Sequence, residues 1–265
     1  MDAHHALKRT LQDRFAAATP RPGQRRYDVL AGVIRTLILE GGLKVGDALP
    51  AERDLVDLTG LGRGSVREAI RVLEIEGLLA PKKLGRHGMS VVQNASDQTV
   101  RRQLELFIGG DTVTNDDLIE ARLVLEPALA RIACDKRTDA DIAALERIND
   151  QVRQASETDG RALIQLNMDW HRQLFQASHN DLLIAIAVGL TETQNQSSVL
   201  SVYANADHVR VMMHAHERIL EAVVARDGDT AYRRTYLHLK GYADTLARLN
   251  PREFDLAPLN RRSSV

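Results

Sequence analysis

From about Ala95 onward the apolar residues of this chain recur at helical spacing, and no strand-like alternation of useful length interrupts them. That feature constrains the fold most. An amphipathic helix carries one apolar stripe and must bury it against another element; when only helices are available, the product is a helix bundle. Candidate helices span 97–109, 115–136, 139–157, 160–178, 181–203, 208–227 and 229–249. Breakers separate them at Gly109-Gly110, Thr138-Asp139, Asp159-Gly160, His179-Asn180, Asn205 and Asp227-Gly228. Asn115 and Thr138 precede acidic first turns and suit as caps: a short polar side chain satisfies exposed N–H groups, and acidic residues complement the positive helix end. The expectation is an all-α bundle of six or seven helices over 97–250, followed by a loosely ordered tail at 251–265.

The front of the chain reads differently. Residues 1–24 contain Pro20, Arg21, Pro22 and Gly23 and lack sustained periodicity, which predicts a flexible arm. A helical pattern then runs from Arg26 to Glu40 and stops at Gly41 and Gly42. Leu49-Pro50 leads into a short helix, about Ala51 to Leu58. Thr59-Gly60-Leu61-Gly62 forms a tight turn, and a second helix extends from about Arg63 to Glu76, where Gly77 ends it. Two short apolar pieces, Leu78 to Ala80 and Met89 to Val92, flank a basic tip from Lys82 to Gly88. Helix, helix, turn, helix and two-stranded wing, over 25–92, is the order of a winged helix-turn-helix. The predicted fold class is therefore mainly α, with a winged helix-turn-helix ahead of a helical bundle.

Charge agrees with that division. Residues 1–92 carry fifteen Lys/Arg against eleven Asp/Glu, and residues 93–265 carry twenty against twenty-five. A basic head on an acidic body suits a polyanionic partner such as double-stranded DNA. No apolar run approaches the roughly 20 residues of a membrane span, and Met1 to Pro20 has no apolar signal core, so no membrane partner is expected. The only cysteine, Cys134, excludes an intramolecular disulfide framework and agrees with a reducing cytoplasm.

In a helix-turn-helix the second helix enters the major groove with its N-terminal residues nearest the bases. Here that helix begins Arg63-Gly64-Ser65-Val66-Arg67. Arg63, Arg67 and Arg71 fall at i, i+4 and i+8 on one face, while Val66, Ile70 and Leu73 fall on another. The planar guanidinium fork matches guanine O6/N7 or a phosphate. Arg53, on the preceding helix, is placed for a further phosphate or base contact. Arg86, His87 and Gly88 at the wing tip suit the adjoining minor groove, where glycine permits close backbone approach. Spacing alone fits a solvated face equally well, with Glu68 and Glu74 paired to the arginines.

The stretches Gly46-Asp47-Ala48-Leu49-Pro50-Ala51-Glu52-Arg53-Asp54-Leu55, Gly62-Arg63-Gly64-Ser65-Val66-Arg67-Glu68-Ala69-Ile70 and Leu73-Glu74 with Glu76-Gly77-Leu78 closely resemble the head of the GntR family of regulators, over about residues 26–92. The resemblance implies that Arg53, Arg63 and Arg67 contact DNA, with the tip at Gly85–Gly88 in the groove between half-sites. One position departs: Gly62 stands where the family usually has Ser or Thr, which removes a hydroxyl able to cap the helix or touch phosphate.

Nine histidines raise the question of a metal. Asn167 and His171 are four apart on one helix face, and His216 and His238 lie on the last two candidate helices. Three neutral imidazoles and an oxygen converging in a bundle would suit a divalent ion such as zinc, nickel or manganese, although isolated helical histidines are more often solvated or satisfied in the core. The body resembles the FCD ligand-binding domain of the FadR-type branch of the same family. The resemblance rests on Glu120-Ala121-Arg122 with Glu126, Asn167 with His171, Leu174, Ala177-Ser178 and Asn180, His216-Glu217 with Ile219-Leu220 and Ala222, and Ala231 with His238. It implies that His171, His216 and His238 are metal ligands, with Asn167 as a neutral fourth donor where Asp is commoner. It also implies a small organic acid as effector, for which Arg122 is a carboxylate partner. Gln194, Asn195 and Ser198, with Thr191, form a polar stripe that either lines a cavity or faces solvent. His208 and His214 carry no expected role.

The leading expectation is a homodimeric transcription regulator, repressor or activator, on a pseudo-palindromic operator, with 93–97 as relay between head and body. Two other classes stay open. A metal-dependent enzyme would use the histidine cluster, but no well-placed general base stands near it in sequence. A non-specific architectural DNA protein would leave the acidic, histidine-bearing body unexplained.

Overall fold

The computed structural model describes residues 3–80, 89–93, 97–109, 113–155, 160–192 and 205–249. Its helices are α1 (Ala3–Ala17), α2 (Arg26–Leu39), α3 (Glu52–Thr59), α4 (Arg63–Ile75), α5 (Asp97–Ile108), α6 (Asn115–Lys136), α7 (Asp139–Gln154), α8 (Gly160–Gln176), α9 (Asp181–Glu192), α10 (Ala206–Val224) and α11 (Gly228–Leu249). The chain divides into two packed units, Met1–Thr99 and Val100–Val265. No helix among the described residues is long and apolar enough to cross a membrane.

In the first unit, α2, α3 and α4 bury one stripe each. Leu30, Ile34 and Leu37 of α2 meet Leu55 of α3 and Val66, Ile70 and Leu73 of α4 in one core. The turn between α3 and α4 depends on Gly60, whose left-handed backbone (φ 66°) closes α3 while its N–H donates to the Val56 carbonyl. The helix-turn-helix is thus formed as expected. The wing pieces pair as antiparallel bridges, Leu79 with Val92, and a third piece joins them through Ala48 and Val91. The segment at 89–93 is hydrogen-bonded on both sides: the Leu49 N–H donates to Ser90, and the Ala80 N–H donates to Val91. The wing tip at 81–88, with Arg86, His87 and Gly88, lies outside the described residues.

The expected flexible arm is corrected. Residues 3–17 form α1, which packs on α2 and α3. Leu11 and Phe15 are 1% and 5% exposed in the head core, and Leu7 and Ala18 pack beside them. Lys8 pairs with Asp54 at 2.8 Å and Arg14 with Glu40 at 2.6 Å. The stripe is a single apolar residue per turn, too narrow to stand out in sequence, and Pro20 and Gly23 that suggested an arm act only after the helix has ended.

In the second unit α6 packs along α11, α7 against α8, and α10 beside α11. The cap of α6 is Thr114 rather than Asn115: its hydroxyl accepts from the Asp117 N–H at 3.1 Å, and Asp117 accepts in return from the Thr114 N–H at 2.9 Å. The cap of α7 is Thr138, with the same reciprocal pair to Asp141. The Asn205 side chain caps α10, so that helix starts at Ala206 instead of 208.

Candidate functional site

The head presents its cations on the outer face of the helix-turn-helix. Arg53, Arg63, Arg67 and Arg71 are exposed and Ser65 is half-buried, whereas Val66, Ala69, Ile70 and Leu73 turn into the core. The three helical arginines therefore share a solvent face, as their spacing predicts. One has a partner: the Arg67 Nε donates to Glu52 Oε2 at 2.9 Å while the Arg67 side chain stays 70% exposed. Such a surface pair contributes about 0.2–1 kcal/mol, less than the about 1–3 kcal/mol of a bidentate guanine contact, so DNA can displace it. Gly62, the N-cap of α4, makes no side-chain cap bond, as expected for a residue without a hydroxyl.

In the body, three helices bring the sequence-predicted histidines together. His171 (α8), His216 (α10) and His238 (α11) offer ring nitrogens that all lie within 4.8 Å of one another. The Nε2 atoms of His171 and His238 are 3.4 Å apart. Two nitrogens bound tetrahedrally to one ion at 2.0–2.1 Å would be separated by about 3.4 Å. Trp170, next to His171, stacks on the His216 ring at 3.7 Å between centroids and fixes its plane. Asn167, one turn before His171 on α8, lines a cavity with His171 and His238, and its Oδ1 is buried with no hydrogen-bond partner among the described residues. His216 Nε2 is likewise buried without a hydrogen-bond partner among the described residues. An orphaned amide oxygen and an orphaned imidazole nitrogen beside two more imidazoles form a donor set that suits a divalent transition metal.

Electrostatics favour the neutral, ligating form of His216 and His238. Burial, then the neighbouring His238 and His171, drives the His216 pKa well below its usual value. Burial and His171 bring His238 down to about 3, against the opposing pull of Glu126. Glu126 itself is 1% exposed. Burial alone would raise its pKa, but the Arg122 guanidinium and the contact with His171 outweigh it and hold the carboxyl at about 2.

Glu126, named in the family resemblance but given no role by the sequence, stands beside the cluster. Its Oε1 accepts from Arg122 Nε at 2.6 Å, and its Oε2 lies 3.1 Å from His171 Nδ1. A carboxylate therefore does stand against the histidine cluster. Its i, i+4 spacing from Arg122 and its place in the resemblance fix a shared face with Arg122 but name no partner on α8.

His171 and His238 open onto a cavity of about 650 Å³, within the range of small-molecule sites. Arg122, 3% exposed, lines it, with its guanidinium 5.9 Å from the centre of the Tyr242 ring. Arg218, Arg234 and Arg248 add positive charge to the lining. His208 and His214, expected to have no role, also line it, whereas His216 of the same helix is buried behind the lining. Thr191 is buried in the lining, while Gln194, Asn195 and Ser198 of the same expected stripe lie outside the described residues.

Comparison with known proteins matches the two units separately. Bacterial regulatory proteins of the gntR family match residues 26–85, and the FCD domain matches residues 117–241. The Glc operon transcriptional activator of Escherichia coli (strain K12) is 31% identical over 220 residues, 80% of this chain and 85% of that protein. The HTH-type transcriptional regulator LutR of Bacillus subtilis (strain 168) is 30% identical over 218 residues, 80% of this chain and 96% of that protein. Among solved structures, a Streptococcus agalactiae GntR protein aligns with a TM-score of 0.54 at 22% identity, covering 80% of this chain and 96% of its own, and shares the fold. These relatives are regulators rather than enzymes. With a helix-turn-helix head and a histidine-bearing helical body, the chain belongs to the gntR family of bacterial regulatory proteins and is a DNA-binding transcriptional regulator carrying an FCD domain.

Proposed function

We propose that the body senses a small organic acid through a divalent metal ion and thereby controls the operator affinity of a homodimer. One observation carries this reading: three histidine ring nitrogens lie within 4.8 Å of one another, and two of these histidines, His171 and His238, line a cavity that Arg122 and Asn167 also line. Asn167, His171, His216 and His238 would hold the ion. Zinc and nickel suit such imidazole-rich sets, and the carbonyl oxygen of Asn167 is the kind of donor that manganese favours. Asn167 brings no charge, so the bound ion keeps its full positive charge toward the cavity and supplies an acceptor for one carboxylate oxygen. The guanidinium of Arg122 matches the planar fork of a carboxylate. Arg218 and Arg234 suit a second anionic or hydroxylated end of the ligand. Sugar acids, hydroxy acids and dicarboxylates fit this chemistry.

In the head, Arg53, Arg63, Ser65, Arg67 and Arg71 read the major groove and its phosphates, and Arg86, His87 and Gly88 reach the minor groove. Two heads related by a two-fold axis match a pseudo-palindrome. The effector alters DNA affinity only by the difference between its affinities for two arrangements of the dimer.

The test is a metal assay on the purified protein and on His171→Ala, followed by thermal-shift screening of organic acids with and without chelator. The expected result is metal in the native protein, its loss in His171→Ala, and a chelator-sensitive rise in melting temperature. At a ligand concentration 100 times Kd the stabilisation is about 2.7 kcal/mol. Equal metal content in both proteins would remove the site.

A further inference from the structure

We infer that Glu126 is the positioning residue that makes His171 a metal ligand: it holds His171 Nδ1 as the protonated nitrogen and leaves Nε2 to the ion. This inference rests on the metal-bound reading above. A neutral imidazole carries one N–H, and what faces each ring nitrogen decides which one carries it. Nδ1 lies 3.1 Å from Glu126 Oε2 in an approach that falls short of hydrogen-bond geometry, and neither atom has a hydrogen-bond partner among the described residues. An ionised carboxylate only accepts, so a small turn of either side chain that closes this contact puts the proton on Nδ1. Nε2, on the far side of the ring, is then the lone-pair nitrogen, and it points to the triad, 3.4 Å from His238 Nε2. Carboxylates of this kind behind ligating histidines typically change metal affinity 10–100-fold.

The same carboxylate is engaged at its other end. Oε1 accepts from Arg122 Nε at 2.6 Å, and Arg122, Glu126 and His171 are 3%, 1% and 1% exposed. Glu126 thus accepts from the cavity-lining arginine with Oε1 and stands against His171 with Oε2. A glutamine has nearly the same shape but only one acceptor. With its oxygen toward Arg122, its amide NH₂ meets Nδ1 and selects the Nε2–H tautomer, which blocks the ligating atom. With its oxygen toward His171, its NH₂ meets a guanidinium.

The experiment uses the full chain. Imidazole ¹⁵N NMR of the metal-free protein at neutral pH reports the His171 tautomer, and Zn²⁺ titration reports affinity, each for the native protein, Glu126→Gln and the double variant Arg122→Leu/Glu126→Gln. The native protein is expected to show Nδ1–H at His171. Glu126→Gln is expected to shift to Nε2–H and bind Zn²⁺ about 10–100-fold more weakly. The double variant frees the amide oxygen for Nδ1 and should recover the native tautomer and part of the affinity, a rescue that simple loss of packing would not give. Nε2–H at His171 in the native metal-free protein overturns the inference even if every variant fails to fold. So does a folded Glu126→Gln with native tautomer and affinity. Failure of the native protein to take up Zn²⁺ overturns the metal reading instead, and the tautomer result still judges Glu126.

Discussion

Arg67 is paired with Glu52 through one weak surface contact, which a phosphate or guanine can replace. Arg67→Ala should weaken operator binding by about 1–3 kcal/mol, and the log–log salt slope should fall by about one if its partner is a phosphate. Gel-shift titration at two salt concentrations separates the two; unchanged affinity would take Arg67 out of the interface. At this scale the sequence revealed which residue types matter but not every pairing. Arginines four apart on α4 had to share a face. Three histidines on three helices could meet only if the bundle closed in one particular way, and the family resemblance, more than the spacing, pointed to it. The role of Glu126 stayed hidden because its second partner lies 45 positions away on another helix.

At the scale of the element, ends were harder to read than middles. Thr114 caps α6 although Asn115 is an equally good capping type, since which residue takes extended backbone is decided by the incoming chain. At α7 the cap was legible, and it can be weighed: Thr138→Ala should cost about 1 kcal/mol, a drop of about 2–4 °C in melting temperature. Burial pushes the Asp141 pKa up, but its bonds to Thr138 and its contact with His179 leave it below the ordinary 3.8. Its contribution is therefore fully present above pH 3.8 and fades as pH falls below that. The melting difference between Thr138→Ala and the native protein should narrow in that acidic range; a difference independent of pH would mean that the Asp141 carboxylate takes no part. At the end of α4, Gly77 has φ 73°, and a Cβ there would stand 2.2 Å from Thr99 Oγ1. Gly77→Ala should cost at least about 1–2 kcal/mol for the left-handed backbone alone, read as a lower melting temperature of the head. The third piece of the wing sheet, around Ala48, was not legible, because a single bridge between Gly46 and Pro50 leaves no alternation to detect.

The whole molecule consists of two packed units with different chemistry, and metal removal should tell them apart. If the body holds the proposed metal, chelation withdraws a ligand from that unit alone, and calorimetry should show one transition falling while the other keeps its temperature. A uniform shift of both would argue against a site confined to the body. The order of the units and the helical character of the second were legible throughout, because a dozen or more residues of consistent period outweigh errors at any one cap. The first helix was not, and its presence has a practical meaning. The family signature begins at residue 26, yet Leu11 and Phe15 complete the core beneath it. Burying two such side chains is worth roughly 3–6 kcal/mol, comparable with the whole stability of many small domains. The stretch that inheritance has kept recognisable is therefore shorter than the stretch that folds cooperatively. A DNA-binding fragment cut at the homology boundary would be a poorer protein than one that begins before Ala3.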